Sequence, residues 1–238
     1  MTETAPPPAT ALDLDAPARR DQHEGEGAAR GTSRMEAFAD GVFAIAFTLP
    51  VVEFLLPDPG RVSERLGHEL IDLWPSYFGY ILASVVIGLY WVQHHFSGAI
   101  YRTTGHWFLI ATAIFLTMIG FIAFPARVLA EHLSDSAARE VASLYWVGSC
   151  ALLAWTWVLK WTVGRNHGQV DPRLDPSYVT RLSRRYWAFA LLNAVAVALV
   201  LVRWEIGLVA SALLTLSMLY PPETPRYVTE APIVEGEA

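Results

Sequence analysis

The chain has 238 residues, of which 53% are hydrophobic and only 17% are charged. This composition is too apolar for an ordinary soluble domain and indicates a membrane protein. The net charge of −6, with the charged residues concentrated in tails and loops, argues against a nucleic-acid partner. A single cysteine, Cys150, excludes an internal disulfide and a cysteine-based metal cluster, and its apolar surroundings predict a buried, unreactive thiol.

The first 33 residues combine a proline run, several alanines and mixed charges without hydrophobic periodicity. This composition predicts a disordered tail over residues 1–33, on the cytoplasmic side of the membrane. The segment lacks the basic start, apolar core and cleavage site of a signal peptide. We therefore expect the first apolar helix to act as its own insertion signal.

Six apolar segments follow and predict an all-α polytopic membrane protein with six transmembrane helices in residues 34–220. Crossing the hydrocarbon core takes about 20 residues. The last two segments are short, and together they are too long for one crossing, so we expect them to form a tight helical hairpin. Residues 221–238 are expected to be a cytoplasmic C-terminal tail. The segments lie at 35–56, 74–96, 107–130, 141–161, 186–202 and 204–220.

The distribution of basic residues predicts the orientation. With the N-terminus inside, most of the seventeen basic residues fall on the cytoplasmic side, and the stretch from Lys160 to Arg185 contributes the largest share. We therefore expect both termini in the cytoplasm and a multi-pass protein of the cell membrane. The basic run Arg181, Arg184 and Arg185 is interpreted as an anchor at the inner membrane surface.

The first apolar segment has its residues sorted by size. At about 100° per residue, small and β-branched side chains fall on one face of a helix, and Phe43, Phe47 and Phe54 fall opposite. Such a stripe allows close packing between helices in lipid, or it lines a pore when several copies surround a narrow path. The small face consists of Ala37, Gly41, Ala44, Ile45, Thr48 and Val52.

In the pore interpretation, Ile45, Thr48 and Val52 form successive rings. A hydrophobic ring can gate by dewetting, and a ring of hydroxyl groups can discriminate between ions. Thr48 carries the one hydroxyl on the stripe beyond its first turns. One helix per chain cannot enclose a path, so this interpretation requires an oligomer.

The run from Arg34 to Thr48 resembles the signature Arg-xxx-Phe-Ser-Asp-Gly-Val-Phe-Ala-Ile-Ala-x-Thr of the transmembrane protein 175 family, the lysosomal potassium channels and their prokaryotic relatives. A second similarity is the Trp-xx-His-His formed by Trp91, His94 and His95, which many members carry. Two positions depart from the pattern: Ala39 replaces serine, and Pro50 stands where leucine is usual, which tends to kink a helix. The matching residues of the first motif are Arg34, Phe38, Asp40, Gly41, Val42, Phe43, Ala44, Ile45, Ala46 and Thr48.

The resemblance implies a potassium-selective, leak-like channel without a carbonyl filter, not an enzyme, with no cofactor and K⁺ as the permeating ion. It implies a hydrophobic constriction at Ile45, a selectivity-related hydroxyl at Thr48 and a further hydrophobic layer at Val52. Animal members carry two copies of the six-helix unit and assemble as dimers, so a single copy implies a homotetramer in the bilayer. A proton or non-selective cation leak remains an alternative, because the same pore could support it.

Asp40 is a functional candidate because an ionisable group within a membrane span is costly. The alternative is a structural tie: Arg34, His94 and His95 are expected at the same cytoplasmic level, and a partner from the second span is favoured. The resemblance also favours a network, which would hold the first helix against its neighbours. The members of this predicted network are Arg34, Phe38, Asp40, Gly41, Trp91, His94 and His95.

The adjacent residues His94 and His95 point about 100° apart on a helix, and no cysteine or carboxylate cluster accompanies them. No metal site is therefore predicted beyond the permeating potassium, while a pH response stays open because histidine titrates near neutrality. A membrane-embedded enzyme or sensor using Asp40 and the two histidines is a further alternative. No nucleophile, cofactor loop or metal set accompanies these residues.

Overall fold

The computed structural model describes residues 31–53 and 66–228. Residues 1–30 of the predicted N-terminal tail (residues 1–33) and residues 229–238 of the predicted C-terminal tail lie outside these ranges. In the described parts of the chain, helices dominate and extended pairing is limited to two isolated bridges. The all-α prediction is confirmed.

Eight α-helices are described. Five stretches are long and apolar enough to cross a membrane, namely Ser33–Val52, Trp74–Ile100, His106–His132, Arg139–Asn166 and Pro176–Val202. The last helix has 14 residues, about 21 Å at 1.5 Å per residue, which is less than a hydrocarbon core of about 30 Å. A multi-pass membrane protein is confirmed, but the count of six full crossings is not. The helices are α1 (Ser33–Thr48), α2 (Leu66–Asp72), α3 (Trp74–Ser97), α4 (His106–Phe121), α5 (Ala123–His132), α6 (Arg139–Asn166), α7 (Pro176–Val202) and α8 (Trp204–Ser217).

The start of α7 corrects the prediction, which placed this segment at 186–202. Pro176 occupies the first helical position, where its missing N–H costs nothing, and Asp175 accepts a hydrogen bond from the backbone N–H of Ser177. The additional turns carry Arg181, Arg184 and Arg185, the basic run interpreted as a membrane anchor. Their charges lower the hydropathy of this part of the chain, so a hydropathy criterion does not include it in a span. The basic run therefore lies on a helix.

The expected hairpin of α7 and α8 is present. Arg203 joins the two helices in an extended conformation, with φ −152° and ψ 118°. The helices then approach so closely that a Cβ atom on Gly207 would overlap Cγ2 of Val200 and would lie 2.6 Å from the backbone nitrogen of Val200. Only glycine fits at this crossing.

The core is organised around α6, which packs against α4, α5, α7 and α8. Its buried side includes Trp146, Leu153, Trp157 and Trp161. Lys160, which was counted as part of a cytoplasmic loop, lies inside this helix and is 1% exposed. The basic loop therefore begins only after α6 ends, and Lys160 does not belong to it.

One end of the bundle, called the N-terminal end below, gathers the start of α1, the end of α3 and the end of α8. A Cβ atom on Gly98 would lie 3.3 Å from Oε1 of Glu36, and Nε2 of Gln93 donates a hydrogen bond of 3.1 Å to the carbonyl of Met218. Tyr227 donates a hydrogen bond of 2.8 Å to the carbonyl of Ala99. Residues 221–228 of the predicted C-terminal tail are therefore docked on the bundle.

Candidate functional site

The helix α1 is divided into a buried and an uncovered face. Met35, Ala39, Phe43 and Ala46 are buried, and α1 packs against α3 and α4. Phe43 is 2% exposed and its ring lies 5.5 Å from the ring of His94. Ala39, where the family signature has serine, is fully buried, so a methyl group occupies a core position.

The uncovered side of α1 includes the small face predicted from helical periodicity. It is wider than that face, because Phe47, which was expected on the opposite bulky face, is 41% exposed; Phe54 lies outside the described residues. Ile45 is 61% exposed and Val52 is 76% exposed, although both are large apolar side chains. A Cβ atom added to Gly41 would contact nothing within 4 Å. Ala44 and Thr48 line an open cavity of about 380 Å³ beside α3, and no other described part of the chain covers the rest of this face. Its exposed members are Ala37, Gly41, Ala44, Ile45, Thr48 and Val52.

Thr48 lies at the last position of α1, where the helix changes its geometry. Its hydroxyl donates a hydrogen bond of 2.8 Å to the carbonyl of Ala44. The hydroxyl proton is thereby directed to the backbone, and the oxygen lone pairs stay available as acceptors. The following residues, Leu49–Glu53, form a 3₁₀ helix that contains Pro50, which agrees with the expected break because proline cannot continue the α-helical hydrogen bonding. Val52 therefore lies beyond the α-helical part of the stripe.

Asp40 has a partner on the second predicted span. Nε1 of Trp91, on α3, donates a hydrogen bond of 3.2 Å to Oδ1 of Asp40. The ring of Trp91 in turn lies 5.9 Å from the ring of His95. The contact connects α1 to α3 near the N-terminal end. This bond uses one of the two carboxylate oxygens of Asp40, which is itself an exposed residue.

The two histidines point in different directions. His94 is buried and its ring stacks on Phe115 at 6.1 Å with an interplanar angle of 5°. Its Nε2 has no hydrogen-bond partner among the described residues. His95 is exposed. Among the described residues, no group of three His, Cys, Asp or Glu side chains could hold a metal ion.

The predicted network is divided between two cavities at the N-terminal end. Arg34 and Phe38 line a cavity of about 370 Å³ on the α4 side of α1. Asp40, His94 and His95 line a second, more polar cavity of about 310 Å³ on the α3 side, together with Glu36. The structure therefore brings Asp40 next to Trp91 and the histidines, and it places Arg34 and Phe38 in a different cavity.

The comparison with known proteins identifies the family. The family described as "Endosomal/lysosomal potassium channel TMEM175" matches residues 34–123. The protein named Potassium channel B446_29190 from Streptomyces collinus is 31% identical over 189 residues, which are 78% of this chain and 90% of that protein. The chain belongs to the TMEM175 family. TMEM175 proteins are ion channels and not enzymes, so the enzyme alternative is rejected.

Other TMEM175 proteins match over different lengths. Potassium channel Cha6605_3372 from Chamaesiphon minutus is 40% identical over 116 residues, which are 48% of this chain and 57% of that protein. The crystal structure titled as a lysosomal potassium-selective channel TMEM175 homolog from the same organism superimposes with a TM-score of 0.65 at 29% identity, covering 79% of this chain and 96% of that one. A zebrafish relative named Endosomal/lysosomal proton channel TMEM175 is 39% identical over 69 residues, 26% of this chain and 13% of that protein. The similarity to the solved structure confirms the TMEM175 fold.

Sequence reasoning missed the environment of Lys160 in this TMEM175 chain. Its Nζ is buried without a hydrogen-bond partner among the described residues. Four aromatic rings surround it, with centroids 5.1 Å (Trp157), 5.3 Å (Tyr101), 5.7 Å (Phe115) and 5.9 Å (Phe108) from Nζ. A lysine flanked by tryptophans within a long apolar run was the available signal. This aromatic cage is contiguous with the layer of rings on which α1 packs.

Sequence reasoning also missed the docking of the C-terminal segment. Arg181 donates a hydrogen bond of 2.8 Å from Nη2 to Oε1 of Glu223, and this bond lowers the pKa of the Glu223 carboxyl. Partial burial by itself raises the pKa of Asp171, but hydrogen bonds from Arg173 and its positive charge outweigh that effect and lower it. Charged groups therefore fix the docked segment and its neighbouring loop in place, and these contacts lie outside the membrane spans.

Proposed function

We propose that this chain forms a potassium-selective, leak-like channel in which α1 of each subunit lines a central pore. Ile45 supplies a hydrophobic constriction, Thr48 supplies a ring of hydroxyl oxygens, and Val52 supplies a further hydrophobic layer. Potassium is the permeating ion, and the pore needs no cofactor. The protein works as a homotetramer in the cell membrane with both termini in the cytoplasm.

One observation carries this proposal: the small-residue face of α1 has no partner in the described part of the chain. A lipid-facing helix would present leucine, isoleucine and valine all round. Here the face carries Gly41 and Thr48 between apolar side chains, while the bulky Phe43 is turned into the core. Copies of such a face can approach one another closely around an axis. The names and title of the bacterial relatives support potassium as the ion.

The geometry of Thr48 supports a role in selectivity. Because its hydroxyl proton is directed to the carbonyl of Ala44, four symmetry-related oxygens would present lone pairs to the axis and could replace part of the hydration shell of a cation. Ile45 lies three residues earlier and would form the dry ring next to this oxygen ring.

The test uses the purified full-length chain in liposomes, with ion flux measured under potassium and under sodium gradients. We expect Thr48→Val to lower potassium over sodium selectivity and Ile45→Asn to raise the overall conductance. Thr117→Val is a matched control for the first variant, because Thr117 is an exposed α4 threonine whose hydroxyl donates the same type of bond, 2.9 Å to the carbonyl of Ala113. Ile114→Asn, on the exposed surface of α4, controls for the second.

Unchanged permeability ratios and currents in both α1 variants would remove these residues from the ion path. A pH-sensitive dye inside the liposomes tests the alternative function, which the name of the zebrafish relative favours. Proton flux without potassium flux would show a proton channel, and equal potassium and sodium flux would show a non-selective leak. A native mass other than four times the chain mass of 26.4 kDa would contradict the homotetramer.

A further inference from the structure

A cleft of about 240 Å³ lies at the N-terminal end of the bundle, among α3, α6, α7 and α8, away from α1. Tyr90 and Trp157 line its deep part, since both are buried. Phe189, Leu192 and Leu214 line it closer to the surface, so the cleft is predominantly apolar. An apolar cleft among transmembrane helices fits a hydrocarbon chain.

The rim of this cleft is basic. Arg185 lines the cleft and Arg184 precedes it, and both side chains are exposed. Neither forms a salt bridge with a described residue, whereas the nearby Arg181 is paired with Glu223. The carboxylate of Glu223 lies close enough to interact with the charge of Arg185, but its hydrogen bond goes to Arg181. Three arginines thus face one carboxylate, and a net positive charge remains at the rim of an apolar cleft.

We propose that this cleft binds an anionic phospholipid of the cytoplasmic leaflet. One acyl chain lies against Tyr90 and Trp157, and the headgroup phosphate lies at Arg185 and Arg184. Basic pockets between transmembrane helices on the cytoplasmic side hold anionic headgroups in this way. Guanidinium groups also suit phosphate oxygens, because they donate paired hydrogen bonds in a plane.

A bilayer lipid suits the site better than a second copy of this chain. The exposed surface of α7 beyond the cleft is formed by apolar side chains such as Leu191 and Val195. A surface of that kind would fill the cleft but would bring no negative charge to Arg184 and Arg185. A phospholipid supplies both the hydrocarbon and the negative charge.

The site adds a binding function to the proposed channel, and its test does not depend on ion conduction. The full chain is purified in mild detergent and titrated with 1-palmitoyl-2-oleoyl phosphatidylglycerol, and the retained lipid is counted by native mass spectrometry. We expect phosphatidylglycerol to be retained in preference to the corresponding phosphatidylcholine. A basic residue near the surface contributes about 1 kcal/mol to anionic lipid binding, so Arg185→Gln should weaken binding about fivefold.

The apolar part is tested with Ala188→Trp, which places an indole at a residue lining the cleft. We expect this variant to lose retained phosphatidylglycerol. Val195→Trp, at an exposed α7 position that does not line the cleft, and Arg203→Gln, at the other end of α7, are the matched controls. Both should bind as the unmodified chain does, and size-exclusion profiles check that all variants are folded.

Four results would overturn the proposal. Equal retention of the two lipids, insensitive to Arg185→Gln, would exclude the headgroup site. Undiminished retention in Ala188→Trp would show that surface charge alone holds the lipid outside the cleft. A change of oligomeric state in Ala188→Trp, without loss of lipid, would show that a second copy of the chain covers the cleft. Displacement of the phospholipid by millimolar inorganic phosphate would show a free-anion site.

Discussion

The replacement of Lys160 by methionine tests how the buried ammonium group affects stability. Lys160 is 1% exposed, and its Nζ has four ring centroids at 5.1–5.9 Å but no hydrogen-bond acceptor among the described residues. Methionine has a similar length and an adaptable thioether, so it fills the same space without the charge. Lys160→Met therefore isolates the contribution of the charge from that of packing.

Two opposing free energies decide the outcome. A desolvated cation over an aromatic face gains about 2 kcal/mol or somewhat more. Removing an ion from water still costs several kcal/mol per ion after relaxation. The rings offset part of this cost. No carboxylate is hydrogen-bonded to Nζ in the described part of the chain, so the rest of the cost is not offset by an ion pair. We expect Lys160→Met to raise the free energy of unfolding by about 1–4 kcal/mol, the range found when buried ion pairs are replaced by well-packed apolar groups.

The assay is the apparent melting temperature of the purified chain in detergent, followed by intrinsic tryptophan fluorescence. For a chain of this size, 1 kcal/mol corresponds to about 2–4 °C, so an increase of several degrees is expected. Lys160→Ala is the control, because it removes the same charge but leaves a cavity that costs about 2–5 kcal/mol. We expect that variant to melt below the unmodified chain.

One result would refute this reasoning. If Lys160→Met melts as far below the unmodified chain as Lys160→Ala does, the ammonium group makes a net stabilising interaction with its four rings. The cage would then outweigh the cost of burying the charge. The loss that both variants share relative to the unmodified chain would in that case report cation–π binding and not packing.

Three further outcomes are expected from other parts of the fold. Trp91→Phe removes the indole N–H that donates to the α1 carboxylate, and we expect a loss of about 1 kcal/mol in the free energy of unfolding, measured by melting; an unchanged value would contradict a stabilising bond. Gly207→Val should lower the melting temperature, because the added Cβ would overlap Cγ2 of Val200 and force the α7–α8 crossing apart; a melting temperature equal to that of the parent would contradict the close approach. The lowered pKa of Glu223 means that its bond to Arg181 is fully present above about pH 4.5 and is lost as the pH falls through the lowered value. The protection of residues 221–228 against hydrogen exchange, taken relative to the intrinsic exchange rate at each pH, should therefore fall under strong acid. In Glu223→Gln this protection should be low at all pH values and should not change with pH.

The sequence alone determined the two faces of α1. Backbone hydrogen bonds set about 100° per residue in any α-helix, so the angular positions of Ile45, Thr48 and Gly41 follow from their numbers. The position of Pro50 likewise predicts a kink in the first helix, and the structure ends the regular α-helix at Thr48, two residues before it. The family signature could be recognised in the same residues, and comparison with known proteins confirmed it. The roles of these residues in a pore stay predictions.

The partner of Asp40 was only partly predictable. Its place near the inner end of the first span indicated a residue on the second span, and Trp91 fulfils that expectation. Arg34 and the histidines were predicted in the same network, but Arg34 lines a cavity on the other side of α1. The choice among them depends on how α1 and α3 are rotated against each other, which periodicity within one helix does not specify.

Charged residues near helix ends were the main source of error. Lys160 lies inside the predicted span 141–161 but was counted with the cytoplasmic charges that set the orientation. The basic first turns of α7 were left out of a span, because a hydropathy criterion counts charge as evidence against one. The fold buries Lys160 among aromatic rings and extends α7 back to Pro176. Aromatic rings from α4, α6 and the loop after α3 meet only when the chain is folded, so no local pattern reveals them.

The sequence by itself determined the membrane class, the helical content, the family and the small face of the first helix. These properties depend on composition and on the constant geometry of the α-helix. Tertiary structure alone decided which face of α1 stays uncovered, which residue binds Asp40 and where Lys160 lies. Those properties depend on contacts between residues far apart in the chain, and side-chain packing between helices selects them.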